Sequence, residues 1–160
     1  MSPDRVWLSE AIATRDLERV TANMAAAGDR INDARRHVRS ARALADDDTP
    51  LATAACHDAI RKAITAHMLA NGLRPRGGEG SHRIVLEYAR TQLGDVIDED
   101  DLEEAREIRQ DRALAEYGDF PTRQLNSAHV RAAAQVAERI VNAVAEALAR
   151  QVQSRREPKR

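Results

Sequence analysis

Apolar residues recur along most of the chain at steps of three and four, the spacing that places them on one face of a helix. Val130, Ala134, Ala137, Val141, Val144, Leu148 and Val152 keep that period through a long last helix, with Ser127 as its expected cap. Ile31, Ala34, Val38, Ala41 and Leu44 hold one face of Asp29 to Ala45. From Leu51 to Asn71 the same period is written in alanine: Ala52, Ala55, Ala59, Ala63 and Ala66 form a smooth stripe along which another helix can approach closely. Thr49 is the expected cap there, Pro50 the first helical residue and Gly72 the stop. Trp7, Leu8, Ile12, Leu17, Val20 and Met24 give Asp4 to Ala26 a more ragged face, begun by Ser2 and Pro3 and ended at Gly28. Ile84, Val85 and Tyr88 predict a short helix from Ser81 to Gln92, closed by Gly94, and Leu102, Ala105, Ile108 and Ala115 predict another that stops at Gly118. No stretch alternates as a half-buried strand does. The pattern predicts an all-α, up-and-down antiparallel bundle of four to five core helices over 29–153, an N-terminal helical arm over 1–28 and a disordered basic tail over 154–160.

One residue breaks the apolar logic. Arg112 occupies the position that continues the Leu102, Ala105, Ile108 face, so its side chain is directed toward the core. A buried guanidinium is costly unless paired. Either a carboxylate lies opposite or the bundle opens there into a polar groove. Asp58, on the alanine-striped helix, is the candidate partner; its alternative is a surface pair with Lys62, one turn on. Arg109 lies one turn before Arg112, and Tyr117 follows at the end of the helix.

Composition narrows the picture. The 160 residues are enough for one domain with a real core, and 42% hydrophobic with only 2% aromatic residues favours close-set helices over sandwiches or barrels. A net charge of -1 gives no global basic field, so any nucleic-acid contact has to come from a local patch. Arg30, Arg35, Arg36, Arg39 and Arg42 lie opposite the apolar face of Asp29 to Ala45, as a solvated face or as a phosphate-binding patch. The single Cys56 excludes an internal disulfide. With no apolar run of membrane-spanning length and no signal-like start, a cytoplasmic location is expected. Asp46, Asp47 and Asp48 lack the glycine and distal glutamate of an EF-hand loop and suit a helix N-terminus instead. Leu73 to Ser81 is glycine-rich but lacks the Gly-Lys-Ser/Thr of a phosphate-binding loop, and a flexible connector is expected. No metal and no cofactor is implied.

Several segments in order carry a resemblance: Ala34 to His37, His57 to Ala63, Asn71 to Arg74, the glycine-rich loop with Ser81 and His82, then Arg109 to Arg112 and Ala115 to Asp119. Over roughly Asp29 to Leu148 the chain resembles the HEPN superfamily, small helical bundles, often dimeric, of toxin–antitoxin, abortive-infection and RNA-processing systems. It looks closest to an actinobacterial branch and to HEPN proteins partnered with minimal nucleotidyltransferases. The resemblance implies a metal-independent endoribonuclease in which an Arg and a His, four to six residues apart on a late helix, act together. The His handles protons while the ribose 2′-OH attacks its own phosphate, and the Arg stabilises the added negative charge. This sequence departs from that pattern, because Ala115 and Glu116 stand where the His is expected after Arg109 or Arg112. His57 or His82 would have to supply the base if the fold brings either to Arg112. Arg61–His67, Arg76–His82 and Arg123–His129 also fit the loose spacing, but at places wrong for the family. Tyr117 resembles a tyrosine that some relatives present for AMP transfer, or else it anchors the helix end.

Three functions remain open from sequence. The chain is an RNA-directed HEPN effector of a toxin–antitoxin or defence-type system, acting on or binding RNA or nucleotide as a homodimer. It is a non-catalytic module that partners a nucleotidyltransferase, with Tyr117 exposed. Or it is a structural bundle in which Asp58 fully buries Arg112.

Overall fold

The computed structural model describes residues 2–78, 81–117 and 125–156, the side chains of 114–117 excepted. Among the described residues six helices follow one another: α1 (Pro3–Ala13), α2 (Met24–Leu44), α3 (Thr49–Ala70), α4 (Ser81–Gln92), α5 (Glu99–Tyr117) and α6 (Ser127–Arg156). Two three-residue strands, β1 (Leu17–Arg19) and β2 (Leu73–Pro75), form a small antiparallel sheet. The fold is all-α apart from this sheet, as the periodicity predicts.

α3 is the centre. It packs against α2, α4, α5 and α6, and its alanine stripe is the reason. Ala52, Ala59, Ala63 and Ala66 are wholly buried, as are Ala27, Ala34 and Ala41 on the facing side of α2. Small side chains on both helices let the backbones close together, so a modest apolar area is removed from water with little rotamer entropy lost. Bulk is supplied from around that seam by Ile64, Met68, Tyr88, Leu93 and Ile140. α6 buries Val130, Ala134, Ala137, Val141, Val144 and Leu148, and of the residues that mark its period in the sequence only Val152 is half-buried.

The boundaries differ from the sequence expectation in instructive places. The first helical stretch does not run to Ala26. It stops at Ala13, Arg15 takes a left-handed turn (φ 64°), and the chain enters β1. β1 pairs with β2 in the register Leu17↔Pro75, Glu18↔Arg74 and Arg19↔Leu73, with an ion pair between Glu18 and Arg74. The expected flexible connector after Gly72 is therefore a strand at its start, and Leu17 and Leu73 both reach the core (1% and 4% exposed). Gly28 is not a break, because it lies inside α2, whose cap is Asn23 (Oδ1 to Ala26 N, 2.9 Å). Caps shift by one residue twice. Asp48, not Thr49, accepts from Leu51 N at 3.0 Å, and Asn126, not Ser127, accepts from His129 N at 3.0 Å. In each case the carboxylate or amide reaches the third residue on, which leaves Pro50 in the first turn of α3. α6 runs on through Ser154, Arg155 and Arg156, placed in the tail by sequence. Among the described residues, no helix is long and apolar enough to cross a membrane.

Candidate functional site

Burial of α3 on several sides has a chemical consequence: a polar residue in it has nowhere to go except toward a neighbour. His57 is 5% exposed and points to α4. There His82, in the first turn of α4, meets it with Nδ1 3.0 Å from His57 Nε2. The rings lie 4.9 Å apart at 43°. One ring donates and the other accepts, so the accepting nitrogen carries no proton and at most one of the two rings is charged while the bond lasts. Among the described residues, His82 Nε2 makes no hydrogen bond.

Guanidinium charges influence this pair. Arg112, half-buried on α5, acts on both rings. Arg61, one turn after His57 on α3, also acts on both, and Arg109 acts on His82. Burial is the largest influence on His57 and, with the neighbouring positive charges, pushes its pKa down to about 4. His82 is lowered by burial first, then by Arg61, Arg112 and Arg109. Asp58 opposes both shifts. Its carboxylate lies 3.8 Å from Arg61 Nε, and Lys62, its alternative partner from sequence, reaches Asp33 instead at 3.8 Å.

The fold thus gathers residues that are far apart in sequence. His57 and Asp58 come from α3, His82 from α4, and Arg109 and Arg112 from α5. Arg61 joins them and is the member that sequence reasoning overlooked as a site residue; its signals were its position one turn beyond His57 and a spacing to His67 that points to a different contact. Tyr117 ends α5, and its side chain lies outside the described residues. Arg123 of the Arg123–His129 spacing lies outside them too. His67, half-buried on α3, is engaged elsewhere, with Nδ1 2.9 Å from the buried Tyr88 hydroxyl.

Two neutral imidazoles joined by a hydrogen bond, beside cationic groups, can take up and hand on a proton at an anionic substrate. The model of the HEPN domain matches residues 27–148, from the first turn of α2 to the buried Leu148 of α6. The chain belongs to the HEPN-domain family. No curated protein and no solved structure matches it. The HEPN segment holds every residue of the histidine–arginine cluster and leaves out α1 and β1. It includes β2, so in this HEPN chain the small sheet ties the N-terminal segment to the matched bundle.

Proposed function

We propose that this HEPN chain acts on RNA as a non-standard member of its family, of the toxin–antitoxin or defence type, working as a homodimer in the cytoplasm. Its proton-handling group is then the His57–His82 pair rather than a histidine on the arginine helix. The observation that carries the reading is the 3.0 Å bond between two rings that both feel Arg112.

The chemistry follows from that arrangement. His82, neutral at pH 7, accepts the proton of a ribose 2′-OH as its oxygen attacks the adjacent phosphorus. Arg112, with Arg109 beside it, stabilises the extra negative charge on the phosphoryl oxygens. The bond from phosphorus to the 5′-oxygen breaks, and the proton held by imidazole goes to that leaving oxygen. The products are a 2′,3′-cyclic phosphate and a 5′-hydroxyl. Nearby guanidiniums make the imidazolium a strong acid, which favours the second transfer. His57 holds the His82 ring in one tautomer.

The test is cleavage of labelled RNA at low salt with EDTA present, by the protein and by Arg112→Ala. Cyclic-phosphate ends from the unaltered protein and a loss of at least ~100-fold in the variant are expected, the scale of removing one charge-stabilising group. Folded protein that leaves a range of RNAs intact would overturn the catalytic reading and turn attention to nucleotide binding and to Tyr117.

A further inference from the structure

Beside the histidine pair, α4 and α5 enclose a second feature. A cavity of about 130 Å³ lies between them, lined by Arg83, Arg90, Arg106 and Arg109, with the carboxylate of Glu87 among them, over an apolar wall of Leu86 and Leu102. Three acidic groups answer these four arginines, Glu107 acting on Arg106. Glu87 pairs with Arg83, while Glu103 takes Arg106 (2.5 Å) and lies 3.9 Å from Arg90. Arg109 has no ion pair among the described residues. Four cations against three carboxylates still leave a net positive charge around one small space.

Folding gains nothing from this. Arg106 and Arg109 are three residues apart on one helix, a repulsive spacing, and Arg83, Arg90 and Arg106 are exposed, where ion pairs contribute little. The volume is well below the ~300 Å³ of an ordinary small-molecule pocket. It suits one anionic group of a larger ligand. Continuity with the histidine pair says which ligand. Arg83 follows His82 in sequence, and Arg109 both lines the cavity and acts on His82. A strand whose scissile phosphate lay at His82 and Arg112 would carry its neighbouring phosphate to this space.

We infer that the arginine-lined cavity between α4 and α5 is a subsite for the phosphate adjacent to the one cleaved, so that the HEPN site grips at least two consecutive phosphates of single-stranded RNA. This rests on the RNA reading above. The wall of Leu86 and Leu102 faces the sugar, and the guanidiniums bind the phosphate oxygens.

The experiment uses Arg83→Gln/Arg90→Gln, exposed positions outside the histidine–arginine cluster. Cleavage is measured on a dinucleoside monophosphate, which has only the scissile phosphate, and on a trinucleotide with one more. The variant is expected to raise KM for the trinucleotide about tenfold with kcat unchanged, and to leave the dinucleoside unaffected. Equal effects on both substrates, or none on either, would overturn the subsite. Binding of a 2′-O-methyl trinucleotide, which cannot be cleaved by this chemistry, keeps the question separate from catalysis. An approximately tenfold weaker Kd in the variant, with a flatter salt dependence, supports the cavity even in a protein that cuts nothing. Unchanged affinity, absence of binding by the unaltered protein, or displacement by polyglutamate but not by RNA would each overturn it.

Discussion

Acidification probes the buried histidine pair more sharply than any truncation. His57 is 5% exposed and holds its proton only below about pH 4, whereas an unfolded chain leaves it near the ordinary 6.5. Between those values the unfolded state binds the extra proton. Stability from this group is therefore fully present above pH 6.5 and is lost as pH falls toward 4. The full effect is about 3 kcal/mol, of which about 2 kcal/mol is lost between pH 7.5 and pH 5. His82 and His67, both lowered mainly by burial, act in the same direction. Urea unfolding followed by circular dichroism at pH 7.5, 6 and 5 measures the slope. His57→Gln is expected to be less stable at pH 7.5 because it disturbs packing and the bond to His82. Its decline toward pH 5 is expected to be shallower than that of the unaltered protein by about 2 kcal/mol. Parallel declines in the two proteins would refute the burial of a neutral His57.

Gly72 sits at φ 72°, and a Cβ there would lie 2.9 Å from Val20 O, so Gly72→Ala is expected to cost about 2 kcal/mol and lower Tm by several degrees in a thermal melt. Ala63, wholly buried in the α2–α3 seam, tolerates no added bulk. Ala63→Leu is expected to destabilise by about 1–3 kcal/mol in urea, against near-neutral changes at exposed Arg35. Burial pushes the Cys56 thiol up to about 12, so at pH 8 a thiol reagent is expected to label the native protein ~10³-fold more slowly than the urea-unfolded chain. Comparable rates would show that Cys56 is reached in the native state.

Helical period carried most of the architecture. α2, α3 and α6 could be read because their apolar faces persist over many turns, and the residues the spacing selects are buried except Leu44 and Val152, which are half-buried. The small sheet could not be read that way. Leu17–Arg19 and Leu73–Pro75 are too short for alternation to register, and their pairing depends on a glycine and a left-handed arginine far apart in the chain. Cap assignments failed by one residue where Asp-Thr and Asn-Ser each offer two competent caps and only the backbone geometry chooses between them. Arg112 stood out from sequence because it interrupts an apolar face. That His57 and His82 bond each other could not be inferred, since the contact spans 25 residues and depends on how α4 docks against α3. Arg61 was hidden among many surface arginines, and only the direction of α3 turns it toward the pair.

The most direct measurement of the central claim is chemical rescue at His82. Metal-free RNA cleavage is followed for the unaltered protein and for His82→Gly, with and without added imidazole. Loss of at least ~100-fold in the variant, partly restored by imidazole in its neutral form, is the outcome expected if His82 handles the proton at the 2′-hydroxyl. Full activity in His82→Gly, or a loss that imidazole leaves untouched while the fold is intact, would contradict that role.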